Sequence, residues 1–180
     1  RDELGIGAGL QDRVIQVFEN MVYMDFDRDH LLREGSGIYE PLDPALLPNL
    51  FIAYDTRLSE GSEVFHNNIR ERFNQGDPIV VEAMKKFAGF AEEARNVLLR
   101  GEKEKLGALM NQNFDLRSSL YKLRKSDLDL VHYARLVGAS SKFAGSGGAV
   151  IGTYEDAAML DRLKEVYTKL GAELIVPQIL

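Results

Sequence analysis

At 180 residues, with 45% apolar and 28% charged side chains, the chain has the length of about one domain and a globular composition that rules out wholesale disorder. It has no cysteine, which excludes a disulfide framework, a thiolate zinc site and a cysteine nucleophile together. A net charge of −6 argues against a nucleic-acid or anionic-membrane surface, and no apolar run is long enough to span a bilayer. A soluble intracellular protein, cytoplasmic in location, is the expectation. The opening Arg1-Asp2-Glu3-Leu4 has no methionine and runs straight into a motif, so the chain is also expected to be a piece of a larger protein.

Gly5 to Arg13 reads as a glycine-rich turn leading into a short amphipathic helix through Val14, Ile15, Val17 and Phe18, with Asp12 at its N-terminus. Met21 to Phe26 reads as a strand, and the charged residues 27–36 as a hairpin-like connection. Ile38 to Leu42 and Leu50 to Tyr54 read as further strands, set apart by Pro41, Pro44 and Pro48. Ser62 to Phe73 suits one helix. Asp77-Pro78 starts another, with Asp as N-cap and Pro at the first helical position, and Gly101 stops it. A third helix carries Leu106, Leu109, Met110, Phe114, Leu120 and Leu123. Ser126 and Asp129 resemble a capping box for a fourth, which ends at Gly138. Ala149-Val150-Ile151 is a short strand, residues 156–170 form a helix closed by Gly171, and Glu173 to Val176 is a last strand. The order predicts an α+β fold: a mostly antiparallel sheet with helices on one face. Phe87, Phe90, Phe114 and Tyr121 fall at helical spacing and are assigned to the core.

Three places stand out chemically. The loop Gly145-Ser146-Gly147-Gly148 admits two readings, a plain tight hairpin turn or a ligand loop whose free N–H groups form an anion nest. It is neither a Walker A loop nor the dinucleotide fingerprint. Asp12 is either a helix cap or a group that orients a substrate hydroxyl or takes its proton, and its neighbours Gln11 and Arg13 suit an oxygen-rich ligand. Arg57, just after a strand, is either part of a solvated turn or a binding group. His30, His66 and His132 show no metal spacing, and no metal ligand is assigned in this chain. Lys122, Arg124 and Lys125 read as a solvated helix end.

Taken together, several segments resemble the C-terminal half of the GHMP class of small-molecule kinases. Gly138-Ala139-Ser140-Ser141-Lys142-Phe143-Ala144-Gly145-Ser146-Gly147-Gly148-Ala149-Val150-Ile151-Gly152 is similar to the class's C-terminal glycine motif, with Ser140, Ser141 and Ser146 where glycine is common. Leu109 to Arg117 is similar to the helix before it in the sugar 1-kinase branch. Glu3 to Val17, Tyr23 to Phe26, Gly37 to Pro44 and Leu50 to Tyr54 resemble the plant-type glucuronokinases.

The resemblance implies transfer of the ATP γ-phosphoryl group, with Mg2+, to the anomeric hydroxyl of D-glucuronate or another sugar. A non-catalytic sugar sensor on the same fold is the rival from a different class. It implies a ferredoxin-like C-terminal domain over residues 49–180, preceded at 1–48 by the end of the N-terminal domain. Asp12 matches the acidic residue at the acceptor hydroxyl. Gln11, Arg13, Tyr39 and Arg57 are the implied substrate-binding residues, and Gly145 to Gly148 the floor of the site. The class's serine-rich phosphate loop is absent from these residues. The nucleotide and magnesium contacts are therefore expected on a missing N-terminal half, and this piece alone is expected to be inactive.

Overall fold

The computed structural model describes residues 9–18, 20–58, 63–120 and 122–179, with Leu58 and residues 63–68 described by backbone only. The chain divides into two compact units, residues 1–46 with 178–180, and 47–177.

In the first unit, α1 (Leu10–Phe18) precedes β1 (Val22–Asp25), α2 (Arg28–Glu34) and β2 (Ile38–Pro41). β1 and β2 pair antiparallel, with Met24 opposite Tyr39. The Tyr39 ring meets Phe18 edge-on at 5.7 Å and Phe26 at 6.0 Å, and its hydroxyl accepts the Gly37 N–H at 3.0 Å. The connection over 27–36 joins two neighbouring antiparallel strands, as expected of a hairpin-like link, but it holds a helix that was not expected. Asp27 accepts the His30 N–H at 2.8 Å as N-cap, and Gly35 closes the other end at φ 75°. Seven residues are too short for periodicity to reveal, and only the two caps define them.

The second unit holds β3 (Leu50–Tyr54), α3 (Glu63–Asn74), α4 (Pro78–Leu99), α5 (Leu106–Leu120), α6 (Lys125–Leu136), β4 (Lys142–Phe143), β5 (Ala149–Thr153), α7 (Ala157–Leu170) and β6 (Glu173–Ile175). The strands lie in the order β4-β5-β3-β6, every pair antiparallel. Strand alternation puts Phe51 and Ala53 of β3, Val150 of β5 and Phe143 of β4 on one face. Against that face pack Phe114 of α5, Leu130, Val131 and Ala134 of α6, and Met159, Leu163 and Tyr167 of α7. Phe114 meets Phe143 edge-on at 5.1 Å. The Tyr167 hydroxyl donates to the Leu130 carbonyl at 2.8 Å, and burial pushes its phenol above the usual range. α4 lies against α5, burying Val80, Ala83, Val97 and Leu98. Its start is as expected: Asp77 accepts the Ile79 N–H at 2.9 Å and Pro78 takes the first turn.

Two expectations fail locally. Ser126 and Asp129 form no capping box, because α6 begins at Lys125 and Ser126 falls inside its first turn; Asp129 pairs with Lys125 at 2.7 Å instead. The third helix ends at Leu120, short of Leu123. Phe114 is core, whereas Phe87 and Phe90 are half-buried and Tyr121 lies outside the described residues.

Candidate active site

The glycine loop joins β4 to β5 as a hairpin, residues 144–148, closed by the Ala144 N–H donating to the Ala149 carbonyl at 3.0 Å. Gly147 and Gly148 sit at φ 148° and 72°, backbone regions that side chains disfavour. The loop is thus a hairpin connection between antiparallel strands.

What holds the loop is two charged side chains, Asp127 of α6 and Arg117 of α5, together with the backbone N–H of Asp55 just past β3. The Gly148 N–H donates to Asp127 Oδ1 at 2.8 Å, and the Asp55 N–H donates to the Gly148 carbonyl at 2.9 Å. Asp127 is only 4% exposed, and Arg124 neutralises it through Nε–Oδ2 at 2.8 Å. A Cβ added to Gly147 would lie 3.1 Å from Asp127 Oδ1, so carboxylate and loop fit closely. On the other side Arg117 Nη1 donates to the Gly145 carbonyl at 2.7 Å, and its guanidinium lies 5.2 Å from the Phe143 ring centroid. The anion-nest reading therefore changes at Gly148, whose N–H already holds the protein's own carboxylate. The solvated helix end also changes: Lys122 and Lys125 are exposed, but Arg124 is half-buried on Asp127.

Lys142, the last charged residue before the loop, is half-buried and donates to the Phe143 carbonyl at 3.0 Å. Burial, reinforced by the charge of Arg117, pushes its ammonium below the usual lysine range. The helix supporting the motif is pinned in turn. Arg135 Nη1 pairs with Asp115 at 2.6 Å, its Nη2 donates to the carbonyls of Asn111 and Ser141, and the Asn111 side chain accepts the Ser141 N–H at 2.9 Å.

Arg57, exposed on one side, is engaged by the protein's own groups. Its Nε and Nη2 grip both oxygens of Asp55, and Nη2 also donates to the Leu170 carbonyl at 3.0 Å, at the end of α7. Because Asp55 carries the backbone N–H that holds Gly148, Arg57 reaches the loop only through Asp55. A carboxylate ligand could take the Nε–Nη2 edge of Arg57 only by displacing Asp55. The residues Ser59 to Ser62 of that turn lie outside the described residues.

The remaining sequence candidates belong to the first unit. Asp12 occupies the first turn of α1, where Oδ2 accepts the Gly9 N–H at 3.0 Å, in the manner of a capping box. Gln11, Asp12 and Arg13 are all exposed. Tyr39 is half-buried between Phe18 and Phe26. Residues 5–8 of the opening turn lie outside the described residues.

Sequence reasoning missed Asp127, Arg124 and Arg117 as loop-holding residues. The available signal was position: Arg117 falls three residues after Phe114, on the helix face turned to the core, where an unpaired charge is too costly to sit. Among the described residues no three His, Asp or Glu side chains gather into a metal site, and no helix is long and apolar enough to cross a membrane.

No family model matches the chain. It is 45% identical over 152 residues to Glucuronokinase 1 of Arabidopsis thaliana, covering 83% of this chain and 42% of that protein. The chain thus spans less than half the length of this curated relative. Among solved structures, Streptococcus pneumoniae phosphomevalonate kinase in complex with phosphomevalonate and AMPPNP matches with a TM-score of 0.74 and 20% identity, over 98% of this chain and 57% of that one. L. major mevalonate kinase in complex with R-mevalonate matches with a TM-score of 0.67 and 17% identity, over 82% of this chain and 48% of that one. By sequence the chain is a relative of the plant glucuronokinases, and its fold is that of the GHMP kinases.

Proposed function

We propose that the chain is the C-terminal portion of a cytoplasmic, ATP-dependent sugar 1-kinase that transfers the γ-phosphoryl group to the anomeric hydroxyl of D-glucuronate, giving glucuronate 1-phosphate. The observation that carries this reading is the 45% identity to Glucuronokinase 1 across 83% of the chain. The fold supports the reaction class but confers no activity by itself.

In this reading the chain supplies positioning, which is most of what phosphoryl transfer asks of a protein. Asp12 aligns the acceptor hydroxyl and takes its proton as the new P–O bond forms. Its Oδ2 accepts the Gly9 N–H, which fixes the carboxylate at the start of the helix, and its chief contribution is orientation. Arg13, exposed beside it, is the candidate partner for the sugar carboxylate. Arg57 is the weaker candidate, since its fork is already on Asp55. The bare backbone of the glycine loop admits close approach of a ligand. ATP supplies the transferred group. Among the described residues no three His, Asp or Glu side chains gather, and no step is routed through a metal on this chain. We assign the phosphate loop and the metal ligands to a preceding segment of a longer enzyme, without which this piece is inactive.

The test is ATP-dependent phosphorylation of D-glucuronate by the full-length protein, beside galacturonate, fucose, arabinose, a heptose phosphate and glucose. Preferred turnover of glucuronate is the expected result. Preference for another sugar keeps the class and discards the substrate. No turnover of any sugar, with ATP bound, replaces the enzyme by a sugar sensor.

A further inference from the structure

We propose that Asp127 is the positioning residue of the glycine loop, holding the Gly147-Gly148 backbone in the conformation that phosphoryl transfer requires. The proposal rests on the kinase reading above. Nothing in the sequence motif itself fixes the loop, because its glycines have the widest conformational freedom of any residue. The order must come from outside the loop, and at its C-terminal end it comes from one carboxylate.

The Gly148 peptide is held at both ends: its N–H by Asp127 Oδ1 at 2.8 Å, its carbonyl by the Asp55 N–H at 2.9 Å. The second bond continues the strand pairing of β3 with β5 and needs no particular side chain. The first depends wholly on Asp127. Its other oxygen is engaged by Arg124 at 2.8 Å, which fixes the carboxylate's rotation as well as neutralising it. Gly147 lies over that carboxylate with no room to spare.

Stability alone is a poor reason for such a pair. Taking the Asp127 carboxylate out of water costs more than burying an apolar side chain of similar volume, even with the part-exposed Arg124 beside it, so the return on burying it is conformational. The Gly145 end is fastened separately by Arg117. With both ends held, the loop presents a preset backbone to whatever lies on it, and a site of this kind tolerates only sub-ångström error.

The experiment compares Asp127→Asn with Asp127→Leu in the full-length protein. Both are near-isosteric, but only Asn keeps an acceptor for the Gly148 N–H. Amide exchange at Gly147 and Gly148 is read beside kcat and KM for the sugar. In Asp127→Leu, Gly148 exchange is expected to rise about tenfold with α5, α6 and α7 unchanged, as for a local opening. In the same variant kcat falls about 100-fold while KM moves less than about threefold, the pattern of a misplaced site. Asn restores both to within about fivefold of wild type if the acceptor is what matters. If Leu blocks folding, Asp127→Ala takes its place. Unchanged Gly148 exchange overturns the proposal, as does a kcat loss that tracks exchange across the whole unit, or faster loop exchange with full activity. If the wild type phosphorylates no sugar, the kinase reading fails on its own, and Gly148 exchange still decides whether Asp127 sets the loop.

Discussion

Arg57 and Asp55 form a two-pronged pair, Nε to Oδ1 at 2.8 Å and Nη2 to Oδ2 at 2.6 Å, and the same Nη2 reaches the Leu170 carbonyl. The pair links the end of β3 to the end of α7 and sits one hydrogen bond from Gly148. The hydrogen bond from Arg57 is the main reason that the Asp55 carboxyl lies below its ordinary value of 3.8. A depressed carboxylate stabilises the fold above its unfolded value and loses that contribution as pH falls through the folded one. The melting temperature of Arg57→Ala should therefore lie below wild type by a constant margin above about pH 5, and the margin should shrink below about pH 4. A margin independent of pH would show that the pair is not its source. With Arg57 committed to Asp55, its KM effects on acidic and neutral sugars should be equal; a selective rise for glucuronate would return it to the substrate.

Asp12→Asn separates capping from chemistry. Asn keeps an oxygen for the Gly9 N–H, so α1 should start as before and nucleotide affinity should hold. Under the proposed mechanism turnover of the full-length enzyme falls by about 10²-fold or more. Full turnover would leave Asp12 a cap and nothing else.

How far the sequence was legible depends on what kind of order each residue carries. The strands Leu50–Tyr54 and Ala149–Thr153 show as short apolar runs between turn residues, and α4 shows in its Asp77-Pro78 start, because these signals are local. α2 does not, since seven residues with two caps leave no period to read. The glycine loop was visible as composition, but its fastening was not. Asp127 lies 21 residues from Gly148 and Arg117 lies 28 from Gly145, and spacing along the chain carries no trace of such pairings. Arg57 is a mixed case: its main partner, Asp55, is two residues away, and only its bond to Leu170, 113 residues on, is hidden in the chain order.

Two glycines of the motif should respond oppositely to alanine. At Gly152 a Cβ would run into the Ser140 carbonyl and lie 2.5 Å from Phe51 Cε1, both within packed structure that has nowhere to move. Gly152→Ala should cost about 3 kcal/mol or more, or abolish folding. At Gly145 nothing lies within 4 Å of a Cβ and φ is not positive. Gly145→Ala should stay within about 0.5 kcal/mol of wild type in a denaturant titration. Equal losses at both positions would mean that the space around a Cβ does not set the cost.

Lys142 offers a test of opposite sign from Asp55. Burial, with the charge of Arg117 beside it, pushes its ammonium below the ordinary 10.5, so the folded state binds its proton less tightly than the unfolded chain. Folding then carries a penalty that is full below the folded value. The penalty is relieved as pH rises from there to the unfolded value, because the unfolded state holds more protons across that window. Lys142→Met keeps the apolar stem and removes the charge, at the expense of the bond to the Phe143 carbonyl. The difference in melting temperature, variant minus wild type, should therefore be most positive at neutral pH and should fall steadily on the way to about pH 10.5. A difference that rises with pH instead would mean that Lys142 gains a stabilising anionic partner in the fold, and the electropositive surroundings set by Arg117 would have to be abandoned.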